Sequence, residues 1–387
     1  MEINDLLREA VLAGASDLHV KVGSPPVFRS NGSLVFREGT EAVSMGEAVR
    51  LAFSVMTPAQ REAFKKEGDL DFAYSVQGLG RFRCNCFMQR GTVGLVFRVI
   101  PTKIPTVDEL MLPPMIKNLA LEERGLILVT GTTGCGKSTT LAAMIEHINS
   151  NKRANVVTIE DPVEYAHRDK KSLLNQREVG ADTRSFSKAL RSAMRQDPDV
   201  ILVGEMRDFD TIQTALMAAE TGHLVLSTLH TLDAPETVNR IISFFPTHQH
   251  GQIRVQLATV LKGVISQRLL PRVDGKGRVP AVEILIATGA IRDCILEPEK
   301  TGLIHDFIEQ GSDHYGMQTF DQSLFALYEG GLITLEDARS QATRPDDLLL
   351  RAKGIRRTGE MLDQKTGRED TGRDGGKPGP DIERFAR

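Results

Sequence analysis

The run Gly131-Thr132-Thr133-Gly134-Cys135-Gly136-Lys137-Ser138 limits what this chain can fold into more than any other feature. It satisfies the pattern G-x-x-x-x-G-K-[ST]. It stands between a short apolar run, LILVT at 126–130, and a segment of helical character from about Ser138 to Ser150. A strand, a glycine loop and a helix in that order form a phosphate cradle. The glycines let the backbone bend so that successive N–H groups converge on phosphate oxygens. The helix contributes its positive end. Lys137 places a point charge on the β- and γ-phosphates, and the Ser138 hydroxyl can ligate Mg²⁺. The candidate nucleotide-binding set is Gly131, Thr132, Thr133, Gly134, Cys135, Gly136, Lys137, Ser138 and Thr139. The implied cofactors are ATP and Mg²⁺.

The surrounding pattern predicts the fold class. From Gly125, strand-like runs at 126–130, 154–161, 199–205 and 223–230 alternate with helical ones at 138–150, 186–196 and 209–222. Such alternation predicts an α/β unit with a parallel sheet covered on both faces. Residues 235–268 and 288–352 are expected to be mostly helical. The first hundred residues read as a small α+β domain. It has a helix over 3–13, a hairpin at Asn31-Gly32, and strands at 70–77, 80–89 and 92–100. Pro101, Pro105, Pro113 and Pro114 mark a linker. The expected division is 1–100, a linker 101–124, an ATPase core 125–287, a helical region 288–352 and a tail 353–387. The tail has too few large apolar residues to offset ordering, so disorder is expected there.

Bulk properties exclude some functions. At 387 residues the chain exceeds what one core usually supports. A net charge of −3 gives no electrostatic case for nucleic acid as a partner. The cysteines, Cys84, Cys86, Cys135 and Cys294, form no C-x-x-C pair, so they read as reduced thiols rather than zinc ligands. No signal peptide and no apolar run of membrane-spanning length is found. A soluble or peripherally attached protein is expected.

A phosphate-loop enzyme needs carboxylates near the metal and the attacking water. In an open parallel sheet, ligands sit beyond the carboxyl ends of the strands. Two acidic sites fall there: Glu160, Asp161 and Glu164 in TIEDPVEY, and Glu205 after DVILVG. Gly204 stands where the usual metal-binding aspartate would be, which points to Glu205 as a metal contact, direct or through water. His223 and His230 bracket LVLST and read as a pair of phosphate sensors at the site's rim. Arg81, Arg83 and Arg98 lie on strand-like runs of the first domain, either as a solvated basic face or as arginines that reach a γ-phosphate.

With these motifs in view, the chain resembles the secretion/traffic ATPases that drive type II secretion and type IV pili. GTTGCGKST, TIEDPVEY, ILVGEMRD, GHLVLSTLHT and the N-terminal ASDLH match in order and spacing over residues 1 to about 350. Within that group it is most similar to PilT-type retraction ATPases. The signature AIRNLIRE appears as Ala290-Ile291-Arg292 onward to Glu297, with Asp293 for Asn and Leu296 for the second Arg. The resemblance implies a PAS-like first domain, a RecA-like core and a ring of six copies at the cytoplasmic face of the inner membrane. It implies ATP held between the domains, with Arg81, Arg83 and Arg98 closing on it. It also implies catalytic or metal-linked roles for Glu160, Glu164, Glu205 and His230. Residues 288–297 would form part of the coupling surface, and the partners would be an inner-membrane pilus platform protein and other retraction or assembly ATPases. The alternatives are an accessory PilU-like ATPase, an assembly ATPase, or a non-hydrolysing regulatory subunit.

Overall fold

The computed structural model describes residues 2–30, 32–37, 39–101 and 103–354. Asn31 of the expected hairpin turn, and all of the expected tail except Lys353 and Gly354, lie outside the described residues.

The first unit is α1 (Ile3–Leu12), β1 (Asp17–Lys21), β2 (Val27–Ser30), β3 (Ser33–Phe36), α2 (Met45–Ser54), α3 (Pro58–Glu67), β4 (Asp69–Val76), β5 (Gly80–Gln89) and β6 (Thr92–Ile100). The strands form one antiparallel sheet in the order β3-β2-β1-β6-β5-β4. The amphipathic helices lay Leu6, Leu7, Leu51 and Phe64 on its inner face, over Phe82, Cys84, Cys86 and Phe97. Local sequence sets the helix starts. Thr57 and Gln60 form a reciprocal capping box with Pro58 at the first turn.

The second unit follows α4 (Met115–Ala120). It comprises β7 (Gly125–Thr130), α5 (Lys137–Asn151), β8 (Asn155–Glu160), β9 (Leu173–Glu178), α6 (Phe186–Ala193), β10 (Val200–Val203), α7 (Phe209–Glu220), β11 (Leu224–Leu229), α8 (Ala234–Ser243), α9 (His250–Val260), β12 (Leu261–Pro271) and β13 (Arg278–Ile286). Its sheet runs β13-β12-β7-β11-β10-β8-β9. Six strands are parallel and β13 joins antiparallel to β12. Two apolar clusters, one on each face, account for the continuous Val/Ile/Leu runs. The α/β class is as expected.

Three expectations are corrected. Residues 261–268 are strand rather than helix, because β12 is inserted between β7 and β13 and buried along most of its length. The sheet is mixed rather than all parallel, and β9 adds a strand that sequence did not predict. The proline-rich linker is not free throughout. Val107, Leu112 and Ile116 are buried against β7 and α5, so the chain packs into this core from residue 107 onward.

The C-terminal region is helical, as expected: α10 (Gly289–Leu296), α11 (Ile304–Gln310), α12 (Ser312–Tyr315), α13 (Phe320–Glu329), α14 (Leu335–Gln341) and α15 (Pro345–Ala352). Phe320, Leu324 and Leu348 pack onto Leu270, Val279 and Ala281 of the β12–β13 edge. All four cysteines are buried and free.

Candidate functional site

β7 is buried at every position and delivers the loop 131–136 to the carboxyl edge of the sheet. The first glycine cannot be replaced without disturbance. Gly131 has φ +135°, and a Cβ there would lie 2.5 Å from the Gln267 carbonyl oxygen and 2.6 Å from Cys135 Sγ. The loop ends at Gly136, the N-cap of α5, which lacks a side-chain cap. The first-turn N–H groups therefore stay available to an anion. Lys137, only 9% exposed, donates from Nζ to the Gly131 and Thr132 carbonyls at 2.8 and 2.9 Å. Burial lowers its pKa, opposed by the charges of Cys135, Glu205 and Glu164. Behind the loop, Gln267 Nε2 donates to Thr140 Oγ1 at 2.8 Å, tying α5 to β12.

The loop opens onto a cavity of about 440 Å³. Thr133, Gly134, Gly136, Lys137, Ser138 and Thr139 form one side, and Glu160, Asp161, Glu164, Glu205 and His230 the other. Two separate acidic motifs and the second histidine thus converge on one space. Thr139 Oγ1 lies 3.1 Å from Tyr165 Oη, joining the loop helix to the acidic turn. Glu160 accepts from Thr158 Oγ1 at 2.6 Å and Gln176 Nε2 at 3.2 Å, and burial raises its pKa. Glu205 is 2.6 Å from Arg207 Nε and 3.6 Å from His230 Nε2. Gly204 has a steric reason to be glycine. A Cβ would meet the Ile159 carbonyl oxygen at 3.2 Å, closer than an ordinary contact, and touch Glu160 and Phe186.

These residues fit a magnesium nucleotide. The helix amides are uncapped, the lysine is buried beside them, and a hydroxyl (Ser138) and a carboxylate (Glu205) share the cavity.

Other expected residues lie elsewhere. His223 precedes β11, and Leu224 pairs with Gly125 at the start of β7, whereas the loop follows its end. His223 is therefore at the opposite edge of the sheet, roughly 20 Å away along six residues of strand. Its Nδ1 is 2.8 Å from the Ala218 carbonyl oxygen. The expected pair of rim histidines is corrected to His230 alone. Ile291 is fully buried in the main core, with Ala290 partly covered and Arg292 exposed. Any surface of α10 is thus carried by Arg292, Asp293 and Leu296 rather than by Ile291. Arg81, Arg83 and Arg98 do not line the cavity. Each is held by an acid: Arg81 by Glu178 at 3.0 Å, Arg83 by Asp71 at 3.7 Å, and Arg98 by Asp17 at 2.9 Å.

Sequence reasoning missed Arg207, Leu269 and Arg278, all at the cavity wall. Arg207 follows Glu205 in the same motif and could have been found by its neighbour. Leu269 and Arg278 arrive through β12 and β13, whose strands were not predicted.

Comparison with known proteins decides the family. Residues 1–314 match the model described as Type II/IV secretion system protein. The chain belongs to this family, in its PilT branch. It is 46% identical over 347 residues to the type IV pilus retractation ATPase PilT of Pseudomonas aeruginosa, covering 90% of this chain and 100% of that one. It is 44% identical over 355 residues to the type IV pilus ATPase PilU of the same organism, covering 91% and 92%. The crystal structure of the pilus retraction motor PilT with bound ADP superposes with a TM-score of 0.83 at 47% identity, covering 89% of this chain and 98% of that one. Among the described residues no helix is long and apolar enough to cross a membrane.

Proposed function

We propose that the chain is an ATP-hydrolysing motor that drives pilus retraction, acting as a ring of six copies with a pilus platform protein at the inner membrane. The observation that carries the reading is the single cavity where the phosphate loop meets Glu160, Glu164, Glu205 and His230. Its support is the similarity to PilT over the full length of that relative. The domain division 1–100, 101–124, 125–287 and 288–352 belongs to the same reading.

The chemistry follows from the side chains. The loop amides and Lys137 bind and orient the β- and γ-phosphates. Ser138 and Glu205 would hold a magnesium ion, directly or through water; when bound, it neutralises charge on the phosphate oxygens. Glu160, whose pKa burial raises, suits the role of base for the attacking water. Glu164 faces Lys137 across the same space. Arg207 fixes Glu205, and Arg278 brings a further cation to the wall. Arg83 and Arg98, both exposed on the first sheet, reach a phosphate only when that sheet moves or when a neighbouring copy presents them.

Deleting the gene tests the biological reading. Surplus pili without twitching motility are expected. Cells without pili would instead make the chain an assembly motor.

A further inference from the structure

The buried carboxylate of Glu178 is unused by the chemistry above, yet it joins the two sheet units. It ends β9, the edge strand of the second sheet, and pairs in register with Glu160 of β8. The Val179 N–H donates to the Glu160 carbonyl at 2.9 Å, so the two strand ends are fixed together. Glu178 is 8% exposed and needs a compensating partner. It has two. Its Oε2 accepts from the Val163 N–H at 3.2 Å and from Arg81 Nη2 at 3.0 Å. Val163 lies within the turn that carries Asp161 and Glu164 into the cavity. Arg81 belongs to β5, an interior strand paired to both β4 and β6.

One oxygen atom therefore sees both the acidic turn and the first sheet. Because β5 is held on both sides, the Arg81 backbone is fixed to its sheet. Displacing that sheet would pull the guanidinium off Glu178 and leave Oε2 with the Val163 N–H, so the buried carboxylate and the turn that carries Val163 would have to readjust. The contact is single rather than bidentate, since Arg81 Nε is buried with no hydrogen-bond partner. Such a bridge holds one arrangement and can be broken without dismantling either sheet.

Resting on the hydrolytic reading above, we infer that Glu178 is a positioning residue. Through Arg81 it makes the placement of Glu160 and Glu164 depend on how the first sheet sits against the second.

The test uses the full chain and separates the two contacts. Glu178→Gln keeps an oxygen for the Val163 N–H but loses the charge that holds Arg81, whereas Glu178→Ala loses both. Steady-state phosphate release gives kcat and KM for ATP, and binding of a fluorescent ADP gives the fraction of competent sites. Glu178→Gln and Arg81→Ala are each expected to lower kcat several-fold, with KM within about twofold and full site occupancy. The double variant is expected to be no worse than either single one. Glu178→Ala is expected to fall further, to a tenth of wild-type kcat or less. Losses that multiply in the double variant overturn the inference, as does a fall in the fraction of binding sites that accounts for the whole effect. If Arg81→Ala stops turnover while Glu178→Gln retains it, Arg81 acts on the nucleotide itself and the inference fails, with the hydrolytic reading intact. A wild-type protein that releases no phosphate would instead remove the reading on which it rests.

Discussion

Adding one methyl group at Gly131 tests the geometry of the phosphate loop. In Gly131→Ala the new Cβ would lie 2.5 Å from the Gln267 carbonyl oxygen and 2.6 Å from Cys135 Sγ, at φ +135°. Backbone strain for a non-glycine residue there costs about 1–3 kcal/mol. Overpacking against a strand carbonyl adds about 1–3 kcal/mol. Gly134→Ala provides the control: its φ is +79°, and nothing lies within 4 Å of its Cβ position. It carries strain of about 1–2 kcal/mol and no clash. The clash alone should thus separate the variants by about 1–3 kcal/mol, at roughly 2–4 °C of melting temperature per kcal/mol. Differential scanning calorimetry on both variants reads the gap, and ADP titration should show weaker binding for Gly131→Ala. Equal melting temperatures would refute the close approach of the loop to β12.

Two further outcomes follow from burial. Ile291→Ala is expected to cost about 2–5 kcal/mol, because Ile291 is fully buried, whereas Leu296→Ala, 40% exposed, should leave stability within about 0.5 kcal/mol. Thermal melts of the pair check this; equal losses would put the helix face the wrong way round. Glu283 is 1% exposed, and burial raises its pKa from 4.5 to about 7. Between those values the folded protein keeps a proton that the unfolded chain has released, so this group's contribution to stability falls as pH rises. Glu283→Gln keeps an acceptor for the Ala234 N–H but not the titration. It should match wild type near pH 4.5 and exceed it at pH 8, by up to about 3 kcal/mol. Urea titrations across that range, with identical pH slopes for both proteins, would contradict it.

What was legible in the sequence follows the strength of local signals. The phosphate loop declared itself because it stacks several demands: three glycines, Lys137, Ser138, a strand before and a helix after. The hairpin strands β2 and β3 were equally local. β12 was not legible, since LKGVISQRLLP follows α9 directly with a single glycine, Gly263, to mark the change, and it is buried on both faces, so it shows no alternation. β9, LLNQRE, is a polar edge strand whose pairing to β8 no local pattern announces. Both failures reach the site, because β12 and β13 bring Leu269 and Arg278 to the cavity and β9 brings Glu178 to Arg81. His223 was misplaced for a topological reason. A histidine at each end of one strand looks like a pair in sequence, but only the carboxyl end meets the loop.

Hydrolysis at the phosphate loop is tested most directly by steady-state phosphate release from Lys137→Ala beside wild type. Nζ of Lys137 stands between the Gly131 and Thr132 carbonyls, at the mouth of α5. Removing a cation that stabilises the transferred phosphoryl group is expected to lower kcat by about 100-fold or more. A rate equal to wild type would contradict the assignment of the site.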